Sequence, residues 1–334
     1  MSNASPTPND IFCTRDMARL PGLMRLCGLE RFAGESVPVK LHMGEPGNPY
    51  IIRPDLARTV ATALLNVGAV PFLVDTTVAY PGDRSHKKGY EKVARRHGFT
   101  REAMGCAVVV GDEGVKAVDS SVALDVAAQI HDASCMVVLS HVKGHIQAGF
   151  GGAIKNLGMG GVTRESKRRI HHMSVPVRGE HGCTLCGRCA DACPAGAISV
   201  DDGWHIDRIL CEGCGKCVLA CPSDVLTWEV MSLAQGLAIG AHACVKGKKV
   251  VYINSLHDIA ESCDCDPNPG RIVCPDIGYL VGTDAAAIDA ASLDLIDERE
   301  PGIFKRCTGV DPRTQVSYAV DLGMNAAYTL RDAP

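Results

Sequence analysis

Eight of the seventeen cysteines fall into two identical runs, and their spacing constrains this chain more than any other feature. Cys183, Cys186, Cys189 and Cys193 recur as Cys211, Cys214, Cys217 and Cys221 at a constant offset of 28 residues. Proline follows the fourth cysteine both times, at Pro194 and Pro222. A duplicated unit of this kind marks two copies of one supersecondary element rather than scattered thiols. No basic segment followed by an apolar core opens the sequence, so we expect a cytoplasmic protein, in a compartment where disulfides do not persist and metal is the natural use of so many thiols.

The pattern C-x2-C-x2-C-x3-C-P, present twice, is that of bacterial-type ferredoxins with two [4Fe-4S] clusters, in which the fourth cysteine of each run serves the other cluster. One cluster is expected on Cys183, Cys186, Cys189 and Cys221, and the other on Cys211, Cys214, Cys217 and Cys193. Three thiolates two residues apart can wrap one cube, whereas the fourth must come from a distant loop. Gly187, Gly213 and Gly215 let the backbone approach the sulfides. Paired zinc knuckles would need only four ligands per site and would leave the x3-C-P arms without a purpose. Two clusters side by side make a one-electron wire. A purely structural role for both is the plainer alternative.

Outside residues 177–229 the pattern alternates short apolar runs with helix-length segments, the signature of βαβ units around a mainly parallel sheet. Strands are expected at Val37–Met43, Val70–Asp75, Cys106–Val110, Met136–Leu139 and Lys249–Asn254. Helices are expected at Pro54–Asn66, where proline opens the first turn, and at Lys88–Arg96, Val122–His131, Met231–Cys244 and Ala285–Leu295. The predicted architecture is one α/β domain, residues 1–176 and 230–334, interrupted by a small inserted α+β ferredoxin-like module at 177–229.

At 334 residues, 46% hydrophobic, with net charge −4 and no long Lys/Arg run, the chain lacks the clustered positive charge that nucleic acid or an anionic membrane requires. No apolar stretch approaches the length of a membrane span. Neither partner is expected. Oligomeric state leaves no sequence signal.

The segments KLHMGEPGNPYIIRP (40–54), PFLVDTTVAYPGDR (71–84), LSHVKGHIQAGFGGAIKNLGMG (139–160), SCDCD and PDIGYLVGTDAAAIDAASLDLI (275–296), with the double cysteine run, resemble the prokaryotic iron-sulfur-centre proteins. That family is a domain of unknown function with an inserted ferredoxin. The resemblance spans nearly the whole chain and implies an anaerobe-style redox protein whose reaction is uncharacterised. Cys274 before PDIG, and Ala285 and Ala286 where the family usually has Pro-Val, are departures that touch no cluster ligand.

No complete G-x-G-x-x-G or P-loop occurs; Gly158-Met-Gly160-Gly161 comes nearest, with Thr163 where the last glycine would fall. The glycine-rich segment nevertheless follows the strand at 136–139 directly, and parallel α/β sheets bind ligands at the carboxyl ends of their strands. His141, Lys143 and His145 alternate there, so in extended backbone they project to one side and could handle protons or anchor an anion. Lys155 and Asn156 could add to such a site, which would suit a small anionic or carbonyl substrate. Satisfied loop residues are the plain alternative. Lys167, Arg168 and Arg169 read as a solvated face, and His171 and His172 as a hinge before the module, with a place near a cluster as the alternative.

Cys263-Asp264-Cys265-Asp266, with His257 and Asp258 upstream and Cys274 and Asp276 downstream, is a candidate site for one further transition metal with Cys263 and Cys265 as ligands, since two thiolates one residue apart can reach a single soft ion. Reduced thiols in a loop are the alternative. Cys13, Cys27, Cys106, Cys135, Cys244 and Cys307 read as buried small hydrophobes. The leading expectation is an oxidoreductase whose clusters pass low-potential electrons, received from a redox partner protein or reductant, to a site near His141, Lys143, His145 and Lys155. The rival is an electron carrier or metallocofactor assembly partner with no substrate, which docks another enzyme.

Overall fold

The computed structural model describes residues 9–117 and 122–333. Eight strands form one sheet: β1 (Asp10–Thr14), β2 (Ser36–Lys40), β3 (Val70–Thr76), β4 (Ala107–Gly111), β5 (Cys135–His141), β6 (Lys249–Leu256), β7 (Gly278–Gly282) and β8 (Thr329–Asp332). Their spatial order is β8-β1-β7-β6-β5-β2-β3-β4. Every neighbouring pair is parallel except those of β7, which runs against both β6 and β1. The expected mainly parallel α/β domain is therefore present.

The strands are apolar on both faces because both faces are covered. On β5, Met136 and Val138 point into one core while Cys135, Val137 and Leu139 point into the other. Helices α1 (Pro54–Asn66) and α2 (Lys87–Arg96) pack on the second core. Pro54 presets the first turn of α1, and Leu56, Ala57, Val60, Ala61 and Leu64 recur at helical spacing along its buried face. Helices α3 (Ala153–Gly158), α4 (Arg164–Met173), α5 (Leu233–Val245) and α6 (Ala285–Asp297) cover the other core.

The expected helix at Val122–His131 is largely a strand and a bend. Only Ala128–His131 is helical, and Asp125–Ala127 pairs antiparallel with Gly114–Lys116. The tertiary contact wins over periodicity here: Ser166 on α4 accepts from the Asp125 backbone amide at 2.8 Å. Strands β1, β7 and β8 had no counterpart in the sequence reading. The glycine-rich stretch after β5 serves close packing: a Cβ on Gly158 would meet the Leu237 backbone of α5 at 2.2 Å, and one on Gly160 would meet Lys40 Nζ at 2.4 Å.

Residues 176–228 repeat their own structure. Strand Pro176–Arg178, helix Arg188–Asp191 and strand Ile198–Val200 recur 28 residues on as strand Trp204–Ile206, helix Lys216–Leu219 and strand Leu226–Trp228. The first strand of one unit pairs with the last strand of the other, in both combinations. This exchange brings the fourth cysteine of each run to the other run. No helix among the described residues is long and apolar enough to cross a membrane.

Candidate functional site

The two units bring together the cysteines as the spacing anticipates. Cys183, Cys186, Cys189 and Cys221 surround one small cavity, and Cys193, Cys211, Cys214 and Cys217 surround a second. Each of the two short helices begins after a left-handed glycine, Gly187 at φ 77° and Gly215 at φ 74°, and the Ala197 and Gly213 amides donate to the sulfurs of Cys193 and Cys211 at 3.2 and 3.4 Å. Four thiols around each of two cavities is a donor set that fits a four-iron cube with no other ligand required.

A larger cavity of about 180 Å3 opens at the carboxyl edge of the parallel strands. Lys40 ends β2, Asp75 and Thr76 end β3, and His141 ends β5. Lys143 and His145 follow on a short strand paired with Gly149–Gly151, and Lys155 and Asn156 come from α3. The alternating residues of the sequence reading, His141, Lys143 and His145, thus share one cavity with Lys155, Cys263 and Cys265.

Two buried carboxylates organise the charges. Asp75 sits 2.9 Å from Lys40 Nζ, accepts a very short bond from Tyr90, and lies 3.7 Å from Arg84. Burial alone would raise Asp75, but Lys40, His42 and Arg84 outweigh it and hold the carboxyl at about 2. Lys40 also donates to Asn156 Oδ1 at 2.6 Å, and burial lowers its own pKa. Asp264 lies 2.9 Å from Lys143 Nζ and 2.7 Å from His141 Nδ1, and despite burial these partners, Lys143 first, hold it well below the usual carboxylate range. The other nitrogen of His141 faces the carbonyl of His257 at 2.8 Å. Carboxylate and carbonyl hold the His141 ring from both sides and fix its orientation.

Around Cys263 the chemistry changes. Lys155 Nζ lies 3.8 Å from its sulfur, the amide of Cys265 lies 3.4 Å from it, and the Cys263 and Cys265 sulfurs and a ring nitrogen of His145 lie within 4.8 Å of one another. A bond from the Cys265 thiol, then Lys155 and His145, draw the Cys263 pKa well below its ordinary value against the opposing effect of burial. Burial, with Lys155 nearby, lowers His145 to about 4, so its ring is neutral. The side chain that the fold brings beside Cys263 and Cys265 is thus His145, not the residues expected from their nearness in sequence. Cys274 is buried in a ribbon strand paired with Ile259, and Asp276 accepts from the Asp258 amide at 2.8 Å.

Several readings are corrected. Lys167 is buried, not solvated: it donates to Thr76 Oγ1, to the Thr77 carbonyl at 2.7 Å and to the Val162 carbonyl at 3.0 Å, and burial lowers it to about 7. Arg168 does stay exposed. His171 and His172 form the last turn of α4 rather than a hinge, and His171 lines the large cavity. Cys13 and Cys307 are half-exposed at the edge of the core. Sequence reasoning did not select Lys40, Asp75 or Arg84, and it named Asp264 only as part of the cysteine pair's metal candidate. The one signal for Lys40 and Asp75 was strand-end position, where a charge in an apolar run has no solvent to face; Arg84, in the short turn Asp83–Ser85, carried none.

The fold and cavity define an α/β protein with a charged, ligand-sized site at a sheet edge. A family model described as a domain of unknown function, DUF362, matches residues 37–294, and the chain belongs to that family. No curated protein matches the sequence. Among solved structures, the lactate racemase apoprotein from Thermoanaerobacterium thermosaccharolyticum is 12% identical at a TM-score of 0.37, over 82% of this chain and 54% of that one. A protein from Thermotoga maritima is 9% identical at a TM-score of 0.42, over 92% and 59%. This chain therefore spans little more than half the length of either.

Proposed function

We propose that this chain is a cytoplasmic iron-sulfur oxidoreductase in which a ferredoxin-like module serves a substrate cavity in the α/β domain. Cys183, Cys186, Cys189 and Cys221 would hold one [4Fe-4S] cluster and Cys193, Cys211, Cys214 and Cys217 the other; such clusters supply single low-potential electrons when bound. One observation carries the reading. Glu212, inside the loop from Cys211 to Cys214, bonds two residues of the large cavity's wall: Gln147 donates to its carboxylate at 2.7 Å, and His171 Nδ1 lies 2.8 Å from its carbonyl. Cysteine loop and cavity share a wall.

In the cavity, Lys143 and Lys155 offer positive charge to an anionic or carbonyl substrate, and Asp264 fixes His141 and Lys143 in place. The desolvated setting strengthens each of these interactions. Leu185, Ile209, Leu210 and Leu219 remain exposed around the cysteine loops, a face suited to a protein electron donor. That exposure also suits the second reading, a carrier without substrate, in which the same face passes electrons onward.

Anaerobic reconstitution tests the clusters: two cubes require about eight irons and eight sulfides per chain. An iron count near four, or a zinc count near two, rejects them. A binding screen of small carboxylates, thioesters and carbonyl compounds against the reduced protein then separates the two readings. A ligand that binds wild type, perturbs one cluster's paramagnetic spectrum and is lost in Lys143→Ala supports the enzyme; no ligand among them favours the carrier.

A further inference from the structure

The reading above leaves Cys263 and Cys265 without a task, although both face the cavity. We propose that they are a redox-active dithiol that closes to an intrachain disulfide by exchange with a small anionic disulfide bound in the cavity.

Geometry allows the bond. Two residues span at most about 7 Å, and this pair lies in a turn, so it falls within the roughly 4.4–6.8 Å that disulfide Cα atoms prefer. Their sulfurs already lie within 4.8 Å. Cys263 is the attacking sulfur: the Cys265 amide and the Lys155 ammonium both point positive charge at it. Cys265, less buried and with no ammonium drawn up to its sulfur, is the resolving partner.

The same surroundings oppose a cation. His145 Nδ1 accepts from the amides of Gln147 and Ala148, at 3.2 and 3.1 Å. A neutral ring so bonded carries its proton on Nε2, leaving no lone pair there for an ion. Lys155 adds a fixed positive charge where a metal would need electron density. An N–H and an ammonium beside a sulfur favour a thiolate, and the lysines favour a substrate with negative ends.

The step balances. The Cys263 thiolate attacks one sulfur of the substrate disulfide, whose S–S bond breaks and releases one half as a thiolate. Cys265 gives up its proton and attacks the Cys263 sulfur, forming the new S–S bond and expelling the second half. The substrate gains two electrons, the protein loses two, and the Cys265 proton ends on one released thiolate. The inference goes beyond the cluster proposal and does not require it, because iron content is measured separately.

The test uses full-length protein purified anaerobically and incubated in parallel with 3,3′-dithiodipropionate, a dianion, and cystamine, a dication. Free thiols are then alkylated and the peptide carrying Cys263 is weighed. The expected product is an unalkylated peptide lighter by two hydrogens, restored by dithiothreitol and formed at least about tenfold faster with the dianion, as charges in a low-dielectric cavity require. Cys265→Ser should trap a mixed disulfide on Cys263, and Lys155→Met should slow the reaction and shrink the charge preference while the circular dichroism spectrum is kept. Full alkylation of both cysteines after oxidation in folded protein overturns the dithiol. Protection that yields only when a chelator removes about one equivalent of transition metal makes the pair a metal site instead. Equal rates with the two disulfides overturn the anionic substrate.

Discussion

The cysteine module and the α/β body hold themselves together in opposite ways. The body sandwiches its sheet between two large apolar cores, and that frame tolerates a row of fully buried charges at one edge. The module gathers only Ile198, Cys217 and Leu226 into a buried cluster, and most of its cysteines are half-exposed. A segment this small buries too little apolar surface to offset its chain entropy, so under the proposed function its order would come from the clusters its thiols hold. On that proposal, rigidity is supplied from within in one region and by ligation in the other.

The largest expected effect breaks that contrast outright. Stripping iron with a chelator should release the module alone, with limited proteolysis cutting within 177–229 while the body survives as resistant fragments. Cuts spread evenly through the α/β residues would mean that the two regions stand or fall together. Within the module, Cys189→Ser should cost one cluster and Cys193→Ser the other, read by iron content and paramagnetic spectra, because the fourth ligand crosses between runs.

Next in size is the body's charge network. Asp75→Ala leaves the buried Lys40 without its carboxylate, and breaking such a buried pair should cost about 3–5 kcal/mol in urea unfolding. A loss below about 1 kcal/mol would place these charges in contact with solvent after all.

A smaller effect sharpens the boundary between the regions. Gly213 has φ +64°, and a Cβ there would meet the His171 carbonyl at 2.4 Å. Gly213→Val should push the cysteine loop off the cavity wall at a stability cost of about 1–3 kcal/mol. Both clusters should still assemble, and any ligand-induced change in their spectrum should disappear.

Smallest is the response to mild acid. His145 is held near 4 in the folded protein but titrates at about 6.5 in an unfolded chain. Below about 6.5 the unfolded state binds a proton that the folded state refuses, so stability is full above that pH and falls as pH drops toward 4. Between pH 6.5 and 5.5 the loss expected from His145 is about 1 kcal/mol. His145→Gln should remove that part of the slope and leave the part from His42, which burial lowers to about 3.

The module was legible because its ligands lie within a few residues of one another and the repeat shows itself by position alone. Half of the cavity was legible for a different reason: the alternation of His141, Lys143 and His145 follows a recognisable strand. The other half was not. Asp264 reaches His141 across more than a hundred residues of chain, and Lys40 meets Asp75 only because β2 and β3 pair in parallel register. Lys167 looked like a surface cation because a run of charges says nothing about which of its members turns inward. The strand at 125–127 shows the same limit, since Ser166 draws its backbone out of the helix that local pattern favours.

The way the module joins the body carries one more consequence. The Glu229 amide donates to the Val175 carbonyl at 2.9 Å and the Val230 amide to the Met173 carbonyl at 3.1 Å, so the chain leaves the body and returns to it at one point. Everything between is a cassette on a two-strand stalk. Such a plug-in can be exchanged, duplicated or deleted by joining the stalk's feet with a short turn. One sheet-edge cavity could in this way be joined to different small modules over evolutionary time, or refitted at the bench, without redrawing the fold that holds it.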